Sequence, residues 1–436
     1  MQAESVIGGT AAPPTFAEAL RVWTKIGFLS FGGPAGQIAL MHRILVDERK
    51  WIDEQRFLSA LNFCMLLPGP EAMQLATYVG WRLHGLKGGL TAGLLFVVPG
   101  AVVVLALSLL YAAFGKLPIA EALFVGVKAA VLAIVTEALL RVARRALKGH
   151  TDWIVAGLAF VAIFFLAVPF PLIVLAAAIF GFLRGVRSPP VAAVTAPAGV
   201  SLAATARTVL IWLGIWIVPL GLLTAAYGQT HVLSEIAWFF SKLAVVTFGG
   251  AYAVLAYMAQ DVVQHHGWLT AGEMLDGLGL AETTPGPLIL VTEFVGFLAA
   301  FRHGGGNPYP MGVLGAVVTL WATFAPCFLW IFAGAPYVER LHAEPRLKSA
   351  LAAVTAAVVG VILNLTVWFA INVLFAKVTE TWIGALRLYI PDAASLQGLA
   401  AALSALAVLL LFVLRRGLVE TLAVCGGLAV LWHVLL

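Results

Sequence analysis

Charge is scarce in this chain: 11% of its 436 residues are Asp, Glu, Lys or Arg, while 62% are hydrophobic. Soluble domains carry roughly 25% charged residues, so there are too few polar side chains here to cover a water-facing surface. The mean hydropathy of +1.00 agrees, and the chain belongs in lipid. Cysteine is scarcer still. Cys64, Cys327 and Cys425 lie far apart in apolar segments, with no C-x-x-C and no Cys/His spacing, which excludes a disulfide framework and a recognisable metal site. Catalytic signatures are missing too: there is no G-x-S-x-G, no H-E-x-x-H and no P-loop, so nothing reads as an enzyme or implies a cofactor. The adjacent His265 and His266 would diverge on a helix and are expected to be solvated. The first twenty residues hold no Lys or Arg and do not read as a signal peptide; the first hydrophobic segment is expected from Phe16. A net charge of +5 is modest, and nucleic acid is not indicated as a partner.

What is present is a series of apolar runs, each near or above the roughly 20 residues that a helix needs to span a bilayer. They include Leu90 to Phe114, Trp153 to Phe182, Val209 to Tyr227, Met311 to Gly334 and Leu396 to Leu414. Without ten-residue alternation they argue against a membrane barrel. The expected fold is an all-α integral membrane protein, a polytopic bundle of 11 to 13 membrane segments, some broken or re-entrant.

The chain also repeats itself. Lys25 to Met41 (KIGFLSFGGPAGQIALM) and Lys242 to Met258 (KLAVVTFGGAYAVLAYM) align at an offset of 217, which also carries Trp51 onto Trp268 and Pro68-Gly69-Pro70 onto Pro285-Gly286-Pro287. Beyond the loop Arg302 to Pro310 the offset becomes 227, and Pro99 meets Pro326. Two homologous halves are therefore expected, 1–195 and 196–436, joined through the proline-bearing stretch Ser188 to Thr205. Loop charge bears on their orientation. His42 to Arg56 carries four Lys or Arg where Ala259 to Glu273 carries none, so by the positive-inside rule the halves are expected to be inverted.

Candidate site residues cluster at the repeated motifs. Gly32 and Gly33, and Gly249 and Gly250, weaken helix inside a hydrophobic segment, either as an unwound binding segment or as a close-packing surface. Pro68, Gly69 and Pro70, and Pro285, Gly286 and Pro287, must each break a helix and start another. A fresh helix N-terminus carries partial positive charge and outward N–H groups, an anion site without a basic side chain. Asn62, Thr247, Thr283 and Thr284 could add hydrogen bonds to an oxyanion, or the threonines could bond their own helices. Lys128 sits roughly 13 Å from the nearer helix end around Ile119, deep enough that it is expected to attract an anion or pair with a carboxylate, with partial snorkelling as the alternative. Glu71, Glu282 and Glu293 are candidates for carrying a coupling proton.

Two halves, each with Phe-Gly-Gly in its first membrane segment, a Trp ten residues after the Met, and Pro-Gly-Pro seventeen residues later, resemble the chromate ion transporter family in its long, two-domain form. The resemblance implies export of chromate across a bacterial inner membrane with resistance as the outcome, sulfate as a close analogue, proton coupling and antiparallel halves. It carries over to Gly32, Gly33, Pro68, Gly69, Pro70, Gly249, Gly250, Pro285, Gly286 and Pro287, and departs at Ala251, where the first half has Pro34, and at Leu288, where it has Glu71. Sulfate uptake is the alternative; an anion channel or a membrane enzyme ranks lower. A homodimer is one option left open for the assembly.

Overall fold

Prolines and glycine pairs cut the apolar runs into arms of unequal length. The computed structural model describes residues 14–31, 33–185, 201–248, 251–338 and 344–435, and sixteen α-helices lie among them. The first seven are α1 (Phe16–Leu29), α2 (Gly33–His42), α3 (Glu54–Cys64), α4 (Glu71–Phe114), α5 (Pro118–Ala146), α6 (His150–Phe164) and α7 (Phe170–Gly185). Helix α8 (Leu202–Tyr227) stands apart. Then come α9 (Val232–Val246), α10 (Ala251–Gln260), α11 (Ala271–Thr283), α12 (Val291–His303), α13 (Pro308–Gly334), α14 (Pro345–Leu374), α15 (Gly398–Val408) and α16 (Leu418–Leu435). Six of them (α4, α5, α8, α13, α14 and α16) are long and apolar enough to cross a membrane, and α6, α7 and Gly398–Val413 are shorter apolar helices. The fold is the helical, multi-pass membrane bundle expected from sequence.

Local structure recurs at the sequence offset. Helices α2 and α10 each end in a π-helical turn, Arg43–Glu48 and Asp261–His265. Each turn closes through a left-handed residue, Lys50 (φ 54°) or Gly267 (φ 62°), onto a buried tryptophan. Trp51 N–H donates to Leu45 O at 2.8 Å and Trp268 N–H to Val262 O at 2.9 Å. Proline opens both α5 and α14, where its missing donor costs nothing. Helix α4 turns a corner at His84 and Gly85 (φ 59°), whereas α12 and α13 are separated by the loop around Gly305 and Gly306.

The halves exchange partners. Helix α5 packs on α15 and α16, and its counterpart α14 packs on α6 and α7. Small residues allow the approach: a Cβ on Gly126 would lie 2.2 Å from the Cys425 carbonyl oxygen, and one on Gly360 would lie 2.1 Å from that of Ala156. The equivalent spans α4 and α13 also touch, with the Phe332 ring against Gly89 and the Phe328 ring against Gly93. As α4 advances one turn its partner retreats one turn, so the two run antiparallel.

Three details differ from expectation. The run Trp153 to Phe182 is two helices, because Ala167 is left-handed (φ 51°) and Pro169 lacks a donor. Between α14 and α15 lies an antiparallel hairpin, β1 (Val378–Ile383) and β2 (Leu386–Pro391), turned on Gly384 (φ 62°). Its Arg387 donates to the carbonyls of Ile163 at 2.7 Å and Phe164 at 3.2 Å, satisfying the open end of α6. Of the adjacent histidines, His265 is exposed, but His266 stacks on Trp268 with ring centroids 4.2 Å apart. Helix α8 is peripheral, and only Trp216 and Leu220 of its described residues are buried. Pro219 there leaves the Ile215 carbonyl without its helical donor, and the Trp321 indole supplies one at 3.2 Å.

Candidate functional site

Two half-helices stand at the centre of the molecule, and each starts from a Pro-Gly-Pro. From Ala72 to Gly80 in α4, and from Val291 to Ala300 in α12, every residue is buried. Helices apolar on all sides belong in a core or in contact with lipid. These two lie in the core, yet α12 carries Thr292 and Glu293 there.

Each motif breaks its helix as the residue types require. Gly69 adopts φ +123° and Gly286 φ +89°, values open to glycine and strained for other residues. Pro70 caps α4, and Pro287 caps the 3-10 turn Leu288–Leu290 that leads into α12. The other repeated motif breaks its helix as well. Helix α1 ends at Leu29 and α9 at Val246, and tight turns follow, with Phe31 N–H donating to Leu29 O and Phe248 N–H to Val246 O. Gly33 opens α2 at φ +69°. Gly32, Gly249 and Gly250 lie outside the described residues.

The breaks are tied across the halves. Gly69 N–H donates to the Thr247 carbonyl at 2.9 Å, and Gly286 N–H donates to the Ser30 carbonyl at 2.9 Å. Ser30 and Thr247 correspond at the offset of 217, as do the two glycines, so the same bond is made twice in opposite senses. This corrects one expectation: these two N–H groups are committed to protein carbonyls, and any anion must be met by other donors of the first turns. Two amides brace the arrangement. Gln37 Nε2 donates to Gly286 O at 2.6 Å, and Gln74 Nε2 donates to Pro68 O at 2.7 Å. Each leaves its own Oε1 buried without a partner.

The remaining candidates divide. The hydroxyls of Thr247, Thr283 and Thr284 donate to Leu243, Leu280 and Ala281 carbonyls in their own helices, the alternative that ordinary helix chemistry offered. Asn62 is exposed on α3 and is not brought to a break. Glu71 opens α4 within electrostatic reach of Arg145. Glu282 is buried and accepts from Tyr252 Oη at 2.7 Å. Glu293 is 1% exposed with no ion pair among the described residues.

Lys128 pairs with a carboxylate, one that the sequence reading did not single out. Its Nζ lies 3.2 Å from Asp276 Oδ1, and Asp276 Oδ2 accepts from Tyr111 Oη at 2.8 Å. The pair joins α5 to α11, and Tyr111 brings in α4. Asp276, Tyr111, Gln37 and Gln74 were all missed. The available signal for Gln37 and Gln74 was polarity: each is an amide in the opening turns of a helix that follows a break, where an unpaired group is costly. Among the described residues, no cluster of three or more His, Cys, Asp or Glu could hold a metal.

A single family model, "Chromate transporter", matches residues 17–182 and again 234–432. The chain belongs to the chromate transporter family. Its members include a "Chromate transport protein" of Pseudomonas aeruginosa, 33% identical over 362 residues, covering 81% of each chain. A "Probable chromate transport protein" of Synechococcus elongatus is 30% identical over 78% of this chain and 80% of its own. A family relative of another size, an uncharacterized transporter of Bacillus subtilis, is 33% identical over 144 residues, 32% of this chain and 71% of that protein. No solved structure matches. Family membership makes this chain a multi-pass membrane transporter by class, and its two matched regions each contain one set of breaks.

Proposed function

We propose that this protein is a secondary active transporter that exports chromate across the bacterial inner membrane in exchange for protons and so confers chromate resistance. The observation that carries the reading is the reciprocal pair of bonds, Gly69 to Thr247 and Gly286 to Ser30, which ties each broken helix to the other half. The halves, 1–195 and 196–436, act as inverted repeats, a reading supported by the antiparallel contact of α4 with α13. The anion sits between the breaks, facing the N-terminal turns of α4 and α12, where helix dipoles favour negative charge. A dianion held by main-chain donors needs no counter-ion from the protein, which suits a cargo that must leave again. Glu293, buried and without a basic partner, carries the proton, and Glu282 with its Tyr252 hydrogen bond is the second carrier. The Lys128–Asp276 pair, neutral as a whole, ties α5 to α11. Rocking of one half against the other then exposes the breaks to each side in turn.

The test is chromate uptake into inverted membrane vesicles under an imposed proton gradient, with sulfate as competitor, for the native chain and for Glu293→Gln. Gradient-driven accumulation that sulfate reduces, and that Glu293→Gln lowers by tenfold or more at equal protein level, is the expected result. Accumulation that ignores the gradient overturns coupling. Accumulation of sulfate alone overturns the choice of cargo.

A further inference from the structure

Away from the breaks, the C-terminal turn of α5 faces the turn between α15 and α16 across a cavity of about 780 Å³. Arg141, Arg144, Arg145, Arg415 and Arg416 line it, with Glu137 as its one acidic residue. Leu411 and Phe412 form an apolar floor. Part of this charge is already spent. Arg141 donates to Glu137 at 2.6 Å, and Arg416 lies 3.5 Å from Glu420 across an exposed gap. Arg144 and Arg415 have no acidic partner among the described residues, and the polar contact of Arg145 Nη2 is with the Met65 sulfur. Arg415 is moreover held at φ +52°, a left-handed position at a helix end where glycine is the usual residue. The corresponding turn between α6 and α7 places Ala167 in the same conformation, so the turn itself does not call for arginine.

Basic residues near a helix C-terminus complement its dipole, which accounts for some of this cluster. It does not account for two unpaired guanidiniums brought onto one cavity from opposite elements. Like charges converge at a cost that falls when an anion lies between them. Planar guanidinium forks match the paired oxygens of a tetrahedral oxyanion. The cleft also reaches toward the first break, because the Met65 sulfur that Arg145 contacts belongs to the residue that caps α3 just before Pro68.

We propose that this cleft is a second anion site, distinct from the breaks, that binds a tetrahedral oxyanion between Arg144 and Arg415. Resting on the transport reading above, its role is to collect cargo and raise its local concentration beside the first break. The same chemistry is offered by a free dianion and by the phosphate of an anionic lipid headgroup.

The experiment compares the full chain with Arg144→Gln/Arg415→Gln, both groups being exposed and the fold checked by monodispersity. Calorimetric titration with sulfate in neutral detergent is expected to show one sulfate fewer per chain in the variant. In vesicles, its KM for chromate should rise by five- to tenfold at low ionic strength with kcat within twofold, and the gap should close at 0.5 M salt. Arg144→Lys/Arg415→Lys should restore most of the low-salt effect. If sulfate does not bind the native chain there, but phosphatidylglycerol is retained from mixed-lipid nanodiscs and lost in the Gln variant, the site takes the headgroup. Unchanged sulfate stoichiometry, KM and lipid retention overturn the proposal. Loss of one sulfate in a protein that proves unable to accumulate chromate would leave this site standing while the transport reading fails.

Discussion

The two halves match in backbone and differ in chemistry. Each has a broken first helix, a π-helical turn onto a buried tryptophan, a Pro-Gly-Pro and a central half-helix, and each glycine bonds to the other half's carbonyl at 2.9 Å. The side chains placed on this frame do not correspond. Gln37 and Gln74 match Val254 and Val291, Lys128 matches Thr355, and Asp276, Glu282 and Glu293 match Ser59, Met65 and Ala76. The first half contributes the amides and the deep cation, and the second contributes the buried carboxylates. A duplicated frame thus keeps its geometry through main-chain bonds, which do not depend on side-chain identity, while the side chains are free to specialise.

The most damaging way to probe that division is at the unmatched charges. Lys128→Ala leaves Asp276 buried and uncompensated, and removing one partner of such a pair costs about 3–5 kcal/mol. Thr355→Ala at the matched position removes only a hydroxyl bonded to its own helix, and should lie within about 0.5 kcal/mol of native. Thermal unfolding in detergent separates the two. Lys128→Met/Asp276→Leu should regain the native melting temperature without regaining transport; recovery of both would make the pair purely structural.

The glycines test the matched part. Gly69→Ala and Gly286→Ala each force a left-handed side chain, at about 1–2 kcal/mol from the backbone alone. The added methyl of Gly69 would also fall 2.7 Å from Gln74 Nε2, against 3.0 Å from Leu290 Cδ1 for Gly286. Both should abolish vesicle uptake, with Gly69→Ala the less stable. Normal uptake in either would show that the halves do not share one frame.

The smallest effect is expected from the braces. Gln37→Leu removes hydrogen bonds to two break carbonyls, Gly286 O and Ser30 O, and Gln74→Leu removes one, to Pro68 O, each bond worth about 1 kcal/mol. Each should lower the melting temperature by a few degrees, and equal losses would mean that the two breaks are braced alike despite unlike surroundings.

Much of this frame was legible because proline and glycine act locally. Pro-Gly-Pro ends a helix wherever it stands, and the repeat offset located α1 to α3 against α9 to α11 without coordinates. The cross-bonds were not legible, since no sequence pattern says that Gly69 will meet Thr247 rather than a free anion. Asp276 escaped for a related reason: an acid in a short helix resembles a surface residue until its distance to Lys128 is known. The hairpin at Val378–Pro391 did carry a signal, strand-forming residues flanking Gly384, and it was overshadowed by the apolar helices on either side.

The exchange of partners between the halves also sets the order in which this protein can be made. Gly126 of α5 closes on Cys425 of α16, about 300 residues later in the chain. At synthesis rates of roughly 5–20 residues per second, α5 waits roughly 15–60 s in the bilayer before its partner exists. Through that interval its small-residue face is open to lipid and to other newly inserted helices, so a helix made about 300 residues later is the one that locks the first half shut.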